Sequence, residues 1–148
     1  IGAKRKNTYK LLKVLESIDH PSVIIGNKLN NAEGRKCMNV IERNSKIIHI
    51  DWLDHNNPLL ASAYAACDTF VLPSLYETPG RAALEAGLAG ANVVITPYGG
   101  TKEYFINLAD YCNPNQKKSM LNTISRSLNK PKTEHLSLHI KKEFLSCN

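Results

Sequence analysis

Long apolar runs are missing from this chain of 148 residues. No stretch approaches the ~20 apolar residues that a membrane-spanning helix needs. No charged-then-apolar leader stands at the start of the given sequence. Aromatic residues make up only 7%, so nucleic-acid bases would find few rings to stack on. Cysteines are few and scattered: Cys37, Cys67, Cys112 and Cys147 form no C-x-x-C pair. That argues against a zinc ribbon or a redox motif and fits reduced thiols in a cytosol. Three familiar signatures are also absent. Without G-x-x-x-x-G-K-[ST] there is no P-loop, and without G-x-G-x-x-G no standard dinucleotide site. Without G-x-S-x-G there is no hydrolase elbow.

What is present suits one folded domain. Hydrophobic residues make up 43% of the chain, enough for a core at this length. The net charge is +6, with positives gathered in 4-KRKNTYKLLK-13 and from Lys117 through Lys142. Such a surface attracts anions: phosphates of a small ligand, nucleic acid or anionic lipid. An ordinary solvated lysine-rich surface has the same composition.

Apolar segments alternate in type. The β-branched runs 22-SVIIG-26, 46-KIIHID-51, 69-TFVLP-73 and 92-NVVIT-96 predict buried strands. Helical spacing covers 8–18, 32–44, 58–68, 80–90, 101–109, 117–128 and a last basic stretch, 134–145. Pro58 suits a first helical position, and Gly87 and Gly90 weaken the end of the fourth helix. Strand and helix in alternation predict an α/β domain, a doubly wound, Rossmann-like parallel sheet with helices on both faces. Only Ile1 and Gly2 precede the first basic run, so the expectation is a fragment that begins inside its first strand.

Ligands of such sheets sit beyond the carboxyl ends of the strands, and three features fall there. Glu77 and Glu85 flank the start of the fourth helix. Glu77 stands before the free N–H groups, and Glu85 lies among small residues and needs partners if buried. Ligand hydroxyls could supply them; a helix cap and a lysine are the plain alternative. Gly99 and Gly100, in 96-TPYGGTKEYF-105, allow close backbone approach at a helix start, as ordinary turns also do. Lys4, Arg5 and Lys6 could clamp a diphosphate or form a solvated loop. His135 and His139 are four apart on the last helix and could share a metal, but no third ligand is evident.

Residues 68–105, DTFVLPSLYETPGRAALEAGLAGANVVITPYGGTKEYF, resemble the signature of family 4 (group 1) glycosyltransferases. Asp68, Pro73, Ser74, Glu77, Gly80, Leu84, Glu85, Ala86, Gly90, Gly99, Gly100 and Glu103 fall in place. Upstream, GAKRKN resembles the family's opening G-x-x-x-x-K-N/G, and the likeness runs to about Leu128. It implies the C-terminal, donor-binding domain of a GT-B fold. The implied activity is transfer of a sugar from a nucleotide diphosphate sugar, with retention, to a glycan or lipid-linked acceptor. No cofactor and no bound metal are expected. The acceptor would be held by an N-terminal domain absent here, so this domain alone should be inactive. The resemblance assigns Lys6 to phosphate and Glu77 to the sugar near its reacting carbon. It assigns Glu85 to the ribose hydroxyls, Gly2, Gly80, Gly99 and Gly100 to donor contacts, and Trp52 and Leu53 to the base.

Three positions depart from the pattern. Ala3 stands where members carry arginine, so Lys4 or Arg5 would take over. Pro79 removes an N–H. Arg81 replaces an aliphatic residue and would stand in for the missing arginine on the diphosphate. The implied setting is bacterial polysaccharide or lipopolysaccharide assembly in the cytoplasm, with the basic surface resting on anionic lipid. The rival expectation is a non-enzymatic α/β module that binds nucleic acid or another polyanion through backbone charge.

Overall fold

The computed structural model describes residues 1–145; Cys147 lies outside them. The four expected strands form as β1 (Ser22–Ile25), β2 (Ile47–Ile50), β3 (Thr69–Leu72) and β4 (Asn92–Ile95). Between and after them run α1 (Thr8–Leu15), α2 (Ala32–Glu42), α3 (Pro58–Ala66), α4 (Arg81–Leu88), α5 (Thr101–Phe105), α6 (Lys117–Leu128) and α7 (His135–Ile140). All strand pairings are parallel. No helix among the described residues is long and apolar enough to cross a membrane.

A fifth strand, β5 (Asp110–Tyr111), pairs with Val94 and Ile95. The helical pattern over 101–109 hides it. That helix stops at Phe105 because Ile106 adopts φ 45°, ψ −125°, a conformation a β-branched residue enters only under strain. Tyr111 then donates its O–H to the Ile106 carbonyl at 2.6 Å and holds the turn. The last helix also differs: α7 ends at Ile140 and a π-helical turn runs over Lys141–Leu145.

The parallel sheet is divided into two ladders, β1–β2 and β3–β4–β5. Ile1 and Gly2 bring chain between them. The Ile1 amino group donates to the Asn27 carbonyl, and the Ile1 carbonyl accepts from the Leu29 N–H at 2.8 Å. On the other side, the Arg5 carbonyl accepts from the Leu75 N–H at 2.8 Å. These bonds join the ladders at their carboxyl ends without forming a strand.

Alternation along β4 sorts the core. Val94 points into one cluster with Leu12 of α1, Cys37 of α2, and Met120 and Ile124 of α6. Val93 and Ile95 point into the other, with Ala83 of α4, Phe105 of α5, and Leu136 and Ile140 of α7. Helices therefore cover both faces. Gly87 belongs to this packing. A β-carbon there would come within 2.8 Å of Leu136 Cδ2 and 3.1 Å of Ile140 Cδ1, so the missing side chain lets α7 lie close on α4. By contrast, α3 buries no residue. Val23 and Ile48, paired across β1 and β2, remain 52% and 54% exposed.

Candidate functional site

The chain between Gly2 and α1 turns tightly. Lys4–Lys6 form one 3-10 turn, and Asn7 takes φ 57° between it and α1. The Asn7 amide donates to the carbonyls of Pro73 at 3.1 Å and Pro114 at 2.7 Å. It thereby ties the basic turn to the ends of β3 and β5. That fixes Arg5 and Lys6 above the carboxyl end of β3.

There they meet Glu77. Lys6 Nζ donates to Glu77 Oε1 at 2.6 Å, Ser74 Oγ donates to the same oxygen at 2.6 Å, and Arg5 Nη1 lies 3.2 Å from it. Arg5 also donates to the Tyr76 carbonyl at 3.0 Å, with its guanidinium 5.4 Å from the centre of the Tyr76 ring. Glu77 is only 6% exposed. Burial pushes its carboxyl up, but the Lys6 and Ser74 hydrogen bonds and the Lys6 and Arg5 charges outweigh burial. The net result lies below its ordinary 4.5. Among the described residues Oε2 of Glu77 accepts nothing.

The backbone of Glu77 is pinned as firmly. Its N–H donates to the Tyr98 carbonyl at 3.1 Å, and its carbonyl accepts from Gly100 at 3.0 Å. Gly99, at φ +88°, makes this possible: a β-carbon would stand 2.1 Å from the Glu77 carbonyl oxygen. The expected close approach at Gly99–Gly100 is thus to Glu77 itself. The helix that follows, α5, has five residues, too short to make a separate anion site. Gly2 is likewise buried against protein: its β-carbon would stand 2.8 Å from the Gly34 backbone.

Gly80, at φ +90°, caps α4 without a side-chain hydrogen bond. A β-carbon there would press on Leu72 at 3.2 Å and Ile95 at 3.4 Å. The N–H groups of Arg81 and Ala82 donate to no acceptor among the described residues, and they carry the positive end of the helix dipole. The Arg81 side chain is exposed and has no hydrogen-bond or ion-pair partner among those residues.

One helical turn on, Glu85 is half-buried. Its partner is not a lysine. Tyr64 of α3 donates its phenol O–H to Glu85 Oε2 at 3.1 Å. Burial first, then the Glu85 charge and hydrogen bond, pushes the Tyr64 phenol up to about 12. Oε1 of Glu85 accepts nothing among the described residues. Among the described residues no buried side-chain oxygen or nitrogen lacks a partner, so the open oxygens of both acids reach solvent.

Trp52 and Leu53 lie in the loop between β2 and α3. Trp52 is 59% exposed and makes no ring contact among the described residues; the structure does not bring it into the cluster. His139 Nε2 lies 3.0 Å from the Tyr104 carbonyl. No group of three or more His, Cys, Asp or Glu among the described residues is placed to hold a metal. Tyr64, Asn7 and the Ser74 hydroxyl join the site without a role expected from the sequence. Ser74 sits three residues from Glu77, a signal in reach; the Tyr64–Glu85 contact spans 21 residues and left none.

The family model for "Glycosyl transferases group 1" matches residues 2–141. The chain belongs to the group 1 glycosyltransferases. No curated protein sequence matches it. Among solved structures, sucrose-phosphate synthase from Thermosynechococcus elongatus superposes with TM-score 0.80 at 23% identity, over 95% of this chain and 37% of that one. HepE from Anabaena, solved in complex with UDP and glucose, gives TM-score 0.77 at 20% identity, over 95% and 40%. A glycosyltransferase from Rickettsia africae gives 0.80 at 18%, over 97% and 41%. These likenesses place the glycosyltransferase chain in the C-terminal half of the GT-B fold. It spans about two fifths of the length of those structures.

Proposed function

We propose that this chain is the donor-binding domain of a retaining glycosyltransferase that uses a nucleotide diphosphate sugar. One observation carries the reading. At the carboxyl ends of the strands, two acids flank one helix start, and each has one oxygen held by protein and one open. Glu85 takes the ribose hydroxyls through Oε1. Glu77 turns Oε2 to a sugar hydroxyl near the anomeric carbon.

The diphosphate lies between them, at the α4 N-terminus. Lys6 has three N–H donors; one holds Glu77 and the others can reach phosphate oxygens. The unpaired Arg81 side chain supplies the charge that Ala3 leaves out. When the anomeric C–O bond breaks, its electron pair goes to the diphosphate oxygen and positive charge grows on the sugar. The acceptor hydroxyl then bonds to that carbon, and its proton leaves on the diphosphate. Lys6, Arg81 and the free N–H groups stabilise the leaving group, and Glu77 the sugar. No metal is required by this arrangement. The acceptor is a glycan or lipid-linked saccharide, held by a second domain.

Isothermal titration against nucleotide diphosphate sugars tests this reading. One nucleotide should bind saturably, and Glu85→Ala should weaken it tenfold or more, as expected for hydrogen bonds to a charged group. Equal binding by Glu85→Ala, or binding only to nucleic acid with a steep salt dependence, would contradict it.

A further inference from the structure

Glu85 projects from α4, and nothing on its own helix holds it. Arg81, four residues earlier, is the natural partner on a helix face, yet no ion pair joins the two. What holds Glu85 comes from α3, a helix that buries none of its own residues. Within α3, Tyr64 is fixed twice. Its ring packs edge-on against Phe70 of β3, with centroids 5.9 Å apart and planes at 66°. Its O–H donates to Glu85 Oε2 at 3.1 Å.

We propose that Tyr64 is a positioning residue for ribose recognition: it fixes the Glu85 carboxylate so that Oε1 stays open toward the ribose hydroxyls. This rests on the reading of Glu85 given above. A carboxylate on a flexible three-bond stem rotates unless one oxygen is anchored, and each bond to the ligand must then also oppose that lost freedom. Tyr64 anchors Oε2 before the ligand arrives. The phenol is a donor across the physiological range, as any tyrosine is, and burial with the Glu85 charge pushes its pKa further up. α3 buries none of its residues and is tied to the site through the Tyr64 pair.

The test crosses one protein change with one ligand change. Tyr64→Phe removes only the phenol oxygen and keeps the ring on Phe70. Wild-type chain and variant are titrated with UDP and GDP and with their 2′-deoxy and 3′-deoxy counterparts. Wild type should prefer a ribonucleotide over a deoxy analogue. Tyr64→Phe should lose about fivefold or more in affinity for that ribonucleotide and little for the analogue, so the preference collapses. A structural role alone would weaken all ligands equally, and an unchanged preference in Tyr64→Phe overturns the proposal while leaving the role of Glu85 intact. If wild type binds the nucleotides without preferring ribose, or if Glu85→Ala keeps the preference, the reading of Glu85 fails and this proposal with it. Circular dichroism of Tyr64→Phe checks that the variant is folded; an unfolded variant is replaced by Tyr64→Leu, which also lacks the phenol oxygen and leaves Glu85 unchanged, and the same collapse is expected.

Discussion

Glu77 receives Lys6, Arg5 and Ser74 on a single oxygen. That crowding keeps a buried carboxylate ionised. Because its folded pKa is lowered, its stabilising contribution is complete above the ordinary carboxylate value and is lost as pH falls through the folded one. Lys6→Met removes one of those hydrogen bonds and one of those charges, and burial, the largest opposing effect, then counts for more. We expect Lys6→Met to be less stable than wild type at pH 7, with the gap shrinking as pH falls through the lowered pKa that Glu77 has in the folded wild type. Urea unfolding at a series of pH values reads this directly. A gap independent of pH would mean that Lys6 stabilises by packing alone. Arg81 is the opposite case at this scale. It departs from the family pattern and has no partner among the described residues, which leaves its charge available to a ligand.

At the scale of elements, α4 is the pivot. Its start faces the site through Gly80, its middle carries Glu85, and its far side receives α7 at Gly87. In sequence, Gly87 is a weak point near the helix end. In the fold it is a contact surface, a role that depends on α7, some fifty residues away in the chain, as seen from its neighbours Leu136 and Ile140. Gly87→Val should therefore destabilise by about 1–3 kcal/mol through overpacking, despite removing a helical glycine. Chemical denaturation measures it; a stabilised variant would show that α7 does not pack there. The same limit explains other differences. Strong patterns such as SVII and TFVL mark their strands because runs of β-branched and aromatic residues favour a strand locally, although neither run is fully buried in the fold. The two residues of β5 carry no pattern and owe their state to β4 beside them. The early end of α5 depends on one residue, Ile106, whose apolar character gives no hint of its backbone.

For the whole molecule, the parallel α/β architecture and the position of both acids were legible, since order and spacing of segments fix which loops share the sheet's carboxyl end. Contacts among the site residues were less so. Lys6 and Glu77 are 71 residues apart in the chain, and Tyr64 and Glu85 are 21; only the fold reports that each acid arrives with one oxygen already taken. A crystal structure of the chain soaked with its preferred nucleotide diphosphate reads out that division of labour. Ribose hydroxyls should lie at about 2.7–3.2 Å from Glu85 Oε1, with Tyr64 still on Oε2. The diphosphate should lie at the α4 N-terminus, within reach of Lys6 and Arg81. A nucleotide seated away from α4, or one whose phosphates rather than ribose lie beside Glu85, would contradict it.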